Sequence, residues 1–366
     1  MWHRRAFLSA AGATFAASLL PRRVEALERS ELIFASAIQD TSGAFGAALV
    51  TERGELVARV GLPQRGHDIC FSPVNGTAVA FARRPGTIAV AFDPAGKIAP
   101  VTITSVEGRH FYGHGAFSPD GRLLYATEND FDQSRGVIGI YDATAGYRRI
   151  GEFDTYGVGP HEMLPMPDGK TFAIANGGIE THPDYGRAEL NIETMQPSLA
   201  FVDARDGKLL GLLQLEAGLH QLSIRHMAVD AANRVWFGCQ FRGDNRERPQ
   251  LVGYATLDGE IRLIDLTHDA LSGLRNYVGG VSVSQDGQRI GISAPTGNTI
   301  LVLDANAQAV LAMETLRSGS GMAPDGDGFL VSSGFGTLKG VAGSPAPEHD
   351  FDFGFDNHLR RLPQSL

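Results

Sequence analysis

One short segment returns along almost the whole chain. It reads Gly66-His-Asp-Ile-Cys-Phe-Ser-Pro-Val-Asn-Gly76, then Gly113-His-Gly-Ala-Phe-Ser-Pro-Asp-Gly121, then Pro160-His-Glu-Met-Leu-Pro-Met-Pro-Asp-Gly169, each followed by a short apolar run. Weaker copies occupy residues 225–233, 279–287 and 318–326. A second piece closes each unit: a β-branched run, Asp, and Gly a few residues later, as at 88–96, 138–146 and 199–207. Asp-Gly and Asn-Gly supply the positive backbone angles that tight hairpins require. A chain built this way repeats one small unit of strands and turns, and each unit needs its neighbours to bury its apolar face.

The turn glycines Gly76, Gly121, Gly169, Gly287 and Gly326 set a period of roughly 40–60 residues, that of a β-propeller with four strands per blade. A length of 366 residues would otherwise suggest two or three domains. One closed ring uses the residues instead, so the expected organisation is an export signal over 1–26 and a single propeller domain over 27–366. Residues 32–39, 45–50 and 55–60 read as three strands without an innermost one. The segment Asn357-His-Leu-Arg-Arg-Leu-Pro363 resembles Gly66-His-Asp-Ile-Cys-Phe-Ser-Pro73 and offers the missing strand. Innermost strands then begin near 67, 114, 161, 226, 280, 319 and 358. The fold class expected is all-β, a seven-bladed propeller in which both chain ends share one blade and no sheet edge stays open. Irregularity after Ser333 leaves six or eight blades open on the residues alone.

Residues 1–26 have the layout of an export signal. Arg4-Arg5-Ala-Phe-Leu8 is similar to the twin-arginine consensus, a mildly apolar stretch runs over 10–20, and Ala26 supplies a small residue for cleavage. The expected compartment is the bacterial periplasm. A net charge of −9 without a basic stripe argues against nucleic acid as a partner. No later run of 18 apolar residues predicts a membrane span. Two cysteines, Cys70 and Cys239, exclude a disulfide scaffold and read as separate buried thiols.

The histidines carry the functional signal. His67, His114, His161, His226 and His358 occupy one equivalent repeat position, the entrance to the innermost strand, and the other two copies have Gly280 and Gly319. The chain's 11 histidines would place about 0.2 at seven chosen positions by chance. Innermost strands line the central channel, so the five form an arc of imidazoles. Entering loops add Arg65, Arg109, Arg225, Arg275 and Arg317, and long polar loops over 128–135, 176–185 and 240–245 are expected on the same face. His182 reads as an exposed loop residue. Two readings stand side by side. Each histidine could pin a turn to a neighbouring Asp, or the arc could bind a ligand, as transition-metal donors or, protonated and joined by arginine, as an anion site. A seven-fold ring looks too wide for five imidazoles to meet one tetrahedral ion. The candidate ligand-binding set is therefore His67, His114, His161, His226, His358, Arg65, Arg225 and Glu162. His114 and His161 are the metal candidates, for iron or copper.

The export signal, with Tyr112-Gly-His-Gly-Ala-Phe-Ser-Pro-Asp-Gly121, Gly159-Pro-His-Glu162 and Phe355-Asp-Asn-His358, resembles a family of twin-arginine-exported bacterial propellers of unknown function, akin to the YVTN and quinoprotein-amine-dehydrogenase-like propellers. That resemblance implies a periplasmic setting beside imelysin-type proteins and iron-regulated uptake, and assigns no reaction. Three functions follow as expectations. The first is a non-catalytic binding propeller that handles a metal, iron foremost, or a small anionic metal complex. The second is a lactonase-like hydrolase working at the same channel mouth. The third is a protein-docking scaffold.

Overall fold

Asp-Gly turns punctuate the fold wherever the repeat places them. In the third blade, Ser118 Oγ donates to Asp120 at 2.6 Å and accepts from the Leu123 amide at 2.9 Å, while Gly121 takes φ +68°. Ser284, Asp286 and Gly287 repeat the arrangement in the sixth. Such self-bonded turns need no outside partner, which lets one motif close the inner hairpins of blades three and six. The computed structural model describes residues 30–96 and 98–363; the expected export signal lies outside the described residues.

Seven antiparallel sheets make a seven-bladed propeller. Blade two spans 66–104, blade three 109–154, blade four 160–213, blade five 222–263, blade six 280–315 and blade seven 319–350. Blade one is assembled from both ends of the described chain. Its three outer strands are Ile33–Asp40, Phe45–Thr51 and Leu56–Gly61. Its innermost position is filled by Phe353–Phe355 and Arg360–Arg361, both paired antiparallel to Ile33–Asp40. Between them the chain leaves the ladder: the Asp356 amide donates to the Ala37 carbonyl at 2.8 Å, and Ser36 Oγ donates to the His358 carbonyl at 2.6 Å. The expected closure is present, with the closing strand split in two at His358.

Apolar side chains alternate along the strands and fill the spaces between blades. Phe81, Phe111 and Tyr141 join blades two and three; Tyr125, Met163 and Phe172 join three and four. Each fully buried Val, Leu, Ile or Phe contributes about 1.5–3 kcal/mol relative to exposure.

Two local expectations are corrected. The polar segment from Glu128 is strand, not loop, through Asp130, and only residues 131–134 form the connection. Glu128 is wholly buried, accepting from the Tyr141 hydroxyl at 2.5 Å and from Arg149 at 3.0 Å, so a charged residue sits inside the sheet at no unpaired cost. A short helix, His268–Leu274, also links blades five and six, capped by Thr267 and burying Ala270, Leu271 and Leu274. It spans about two turns, too few for a periodic signal to emerge.

Candidate metal centre

A regular innermost strand would send alternate side chains up and down its own sheet. Here the ladder slips where the histidines stand: between Gly66 and Ile69, Phe111 and Gly115, Pro160 and Glu162, and Ile224 and His226. Bulges bend a strand and re-aim a side chain. The break between Phe355 and Arg360 does the same for His358. Blade six has no bulge on its innermost strand, and none of the five histidines. In blades three and five the strand begins at Arg109 and Leu222, so His114 and His226 lie within the strand, at its bulge, and not at its entrance.

The result is a tighter group than the width of a seven-fold ring suggests. The centroid of His67 is 4.9 Å from that of His114 and 4.8 Å from that of His358. His358 is 4.7 Å from both His114 and His226, and His226 is 4.6 Å from His161. Across the group, His67 lies 6.0 Å from His161 and 6.4 Å from His226. All five sequence candidates therefore converge on the axis. His67, His114 and His161 form one set with ligand atoms within 4.8 Å of one another, and His114, His226 and His358 form a second. Gly113 makes room for this: its φ is +106°, and a β-carbon there would lie 2.6 Å from His67 Cδ2.

Carboxylates from the preceding blade hold two of the rings and approach a third. Asp356 of blade one meets His67 Nδ1 at 3.2 Å, Asp68 of blade two meets His114 Nδ1 at 3.0 Å, and Glu162 of blade four lies 3.5 Å from His226 Nδ1. An ionised carboxylate only accepts, so in the first two pairs Nδ1 carries the proton and Nε2 keeps its lone pair. His161 Nε2 and His226 Nε2 are 3.3 Å apart. His114 Nε2 and His358 Nε2 are buried without a hydrogen-bond partner among the described residues. His110 offers the contrast of a structural histidine: buried too, it bonds the Phe111 carbonyl at 3.0 Å and accepts from Asn129 at 3.0 Å, with both nitrogens satisfied.

Arg360 locks the carboxylates. Its Nε and Nη2 donate to Asp68 at 2.8 and 2.6 Å, and Nη2 also donates to Glu162 at 2.8 Å. Burial alone would raise both acids. Arg360 and the imidazoles outweigh it, holding Asp68 well below the carboxylate range and Glu162 at about 2. Burial lowers His67 to about 3 despite Asp356, drives His161 and His358 well below the usual imidazole value, and lowers His226. These four rings are neutral near pH 7.

Of the predicted arginines, Arg65 donates to Asp356 at 2.7 Å, one bond away from His67, and Arg225 lies beside His226, its Nε donating to Ser223 at 3.3 Å. Arg109 pairs with Asp130 and Glu152 inside blade three, and Arg317 stacks on Phe335 at 3.7 Å; neither joins the cluster. Sequence reasoning did not single out Asp68, Asp356 or Arg360, although each stands within two residues of a repeat histidine. Cys70 and Cys239 are free thiols, as expected, with burial raising both. His182 is half-buried on its loop, its Nε2 3.3 Å from Asp132.

Comparison with known proteins extends the fold and leaves the chemistry open. A family described as "Protein of unknown function (DUF1513)" matches residues 60–362. No curated protein matches the sequence. Among solved structures, a chain of Kuenenia stuttgartiensis hydrazine synthase is similar over 84% of this chain and 95% of its own, at 14% identity and a TM-score of 0.62. Virginiamycin B lyase from Staphylococcus aureus is similar over 81% and 91%, at 12% identity and 0.56. The Cps50 (Swd1) β-propeller domain of Myceliophteria thermophila is similar over 82% and 93%, at 10% identity and 0.57. At such identities the likeness is one of fold. No helix among the described residues is long and apolar enough to cross a membrane.

Proposed function

The chain belongs to the DUF1513 family of proteins of unknown function, and from the geometry on its axis we propose that it is a periplasmic binding propeller that holds one transition-metal ion, iron or copper, on its five converging histidines. The observation that carries this reading is the spacing of the rings. Imidazoles that share an ion at about 2.0–2.1 Å from Nε2 have centroids about 4.5 Å apart at right angles and about 6.4 Å apart across it. Neighbouring rings here are 4.6–4.9 Å apart, and His67 lies 6.4 Å from His226. That spacing brings the ligand atoms into two overlapping triads that share His114, and the proposed site joins both, a wider set than His114 and His161 alone.

Three further features support the reading. Neutral imidazole is the metal-binding form, and burial keeps His67, His161, His226 and His358 neutral. A carboxylate on Nδ1 fixes tautomer and ring direction, as metal-ligating histidines require. The unpartnered Nε2 atoms of His114 and His358 would each cost about 1–3 kcal/mol if nothing ever bound them. Asp68 and Glu162 are both held by Arg360, so neither is free to act as a general base in lactone hydrolysis, and that part would fall to an imidazole. Binding takes precedence because the ring spacing carries it.

The test is metal analysis of untagged protein, followed by titration of the metal-free chain with ferrous and cupric ions. One ion per chain, lost in the His114→Ala, His161→Ala double variant with the β-sheet circular dichroism retained, is the expected result. A parent chain that takes up no stoichiometric metal overturns the proposal.

A further inference from the structure

Above the histidines the charge changes character. Blade two contributes Arg83 and Arg84, with Arg65 on the loop that enters it; the long loop of blade four contributes Arg187, and blade five contributes Arg225. Two are balanced in part: Arg65 lies 2.7 Å and Arg83 3.9 Å from Asp356. Arg84, Arg187 and Arg225 have no carboxylate within 4.0 Å among the described residues. Arg187 Nη1 donates to the Arg84 carbonyl at 3.3 Å, so a loop of blade four is drawn over a loop of blade two. The Arg84 guanidinium lies 5.7 Å from the centroid of the Tyr112 ring, two residues before His114. The Tyr112 hydroxyl is buried, with no hydrogen-bond partner among the described residues. On the other side, Asn357 Nδ2, beside His358, donates to the Tyr277 hydroxyl at 3.3 Å.

Like charges gathered without counter-charges repel, and the repulsion registers. Burial lowers Arg187, and Arg83, Arg84 and Arg65 lower it further. A fold tolerates such a collar when an anion relieves it, and guanidinium forks match carboxylate oxygens two at a time.

We propose that Arg84, Arg187 and Arg225, with the Tyr112 hydroxyl, form an anion-binding collar over the histidine cluster, and that its ligand is a multivalent carboxylate of the kind that chelates transition metals. The collar rests on the metal reading for its purpose, delivery of a chelated ion to the imidazoles, but not for its chemistry, which is that of three unpaired guanidiniums.

Citrate is the probe and inorganic phosphate its rival, both titrated calorimetrically into the metal-free chain at low ionic strength. Citrate is expected to bind, and Arg84→Gln with Arg187→Gln to weaken it at least about tenfold, each lost charge-assisted contact counting for that much. Arg187→Gln alone, on an exposed loop, gives a smaller loss in the same direction and guards against misfolding of the double variant. Citrate binding that is absent, or untouched by either variant, overturns the collar. Binding of phosphate without citrate overturns the carboxylate assignment. Metal uptake from the free aqueous ion is measured separately, so a chain that binds metal but no citrate refutes this inference alone, and one that binds citrate but no metal refutes the metal reading alone.

Discussion

Asp68 reaches across the boundary between the second and third blades to His114, its Oδ2 3.0 Å from Nδ1, while Arg360 of the closing segment grips both its oxygens. One carboxylate thus ties together three blades' worth of chain. Asp68→Asn keeps the shape but cannot accept equally from imidazole and guanidinium. Metal affinity, read by competition with a chelating dye, is expected to fall about 10–100-fold. An unchanged affinity would mean that the carboxylate does not orient the ligand.

Gly113 is expected to tolerate no side chain. Gly113→Ala places a β-carbon against His67 at a backbone angle of +106°. Strain of that kind costs about 1–3 kcal/mol, to be read as a lower urea midpoint. Metal uptake should fall as well, because His67 must move. Full stability with full metal occupancy would contradict the crowding.

Glu152 gives the fold an acid-sensitive component. Burial raises it, but hydrogen bonds from Arg149 and Arg135 and the charge of Arg109 prevail, lowering it from 4.5 to about 2. A carboxyl depressed in the folded state stabilises fully above its unfolded value and loses that contribution as pH falls from about 4.5 towards 2. Urea midpoints measured across that window should drop more steeply in the parent than in Glu152→Gln. Equal slopes would show that the ion pairs do not contribute.

The closing segment should be indispensable to the ring. Deleting residues 353–366 removes both pieces paired to Ile33–Asp40 and bares strand edges on blade one. The expected outcome is self-association in light scattering and loss of a single cooperative melt. A monomeric, cooperatively melting product would rule out the closure as a source of stability.

Export is tested at Arg4 and Arg5. Changing both to Lys should leave the precursor in the cytoplasm, assayed by fractionation; normal export of the double variant would refute the twin-arginine route.

What the residues alone conveyed was whatever is local. The Ser-x-Asp-Gly turn closes on itself, so its recurrence marked the blades, and His67 through His358 shared one place in that recurrence. The convergence of the rings was not legible, because a bulge is a relation between two strands: nothing in Gly66-His-Asp shows that its partner strand skips from Ala82 to Ala80 while it advances from Gly66 to Ile69. Asp68, Asp356 and Arg360 were hidden for the same reason. Each sits beside a repeat histidine in sequence but acts on another blade, as Asp356 does on His67 and Arg360 on Asp68 and Glu162. The strand end at Glu128 looked like loop because its charge is satisfied by Tyr141 and Arg149, which lie elsewhere in the chain.

Three of the groups that complete the cluster, Asp356, His358 and Arg360, lie in the segment that closes the ring against Ile33–Asp40. During synthesis these residues leave the ribosome after six blades have already emerged. A nascent or prematurely ended chain can gather His67, His114, His161 and His226, but lacks the fifth imidazole, the acceptor for His67 and the cation that clamps Asp68 and Glu162. Completion of the cluster is therefore an event in time as well as a place in space. It coincides with closure of the ring against Ile33–Asp40, so an occupied centre would certify a finished ring.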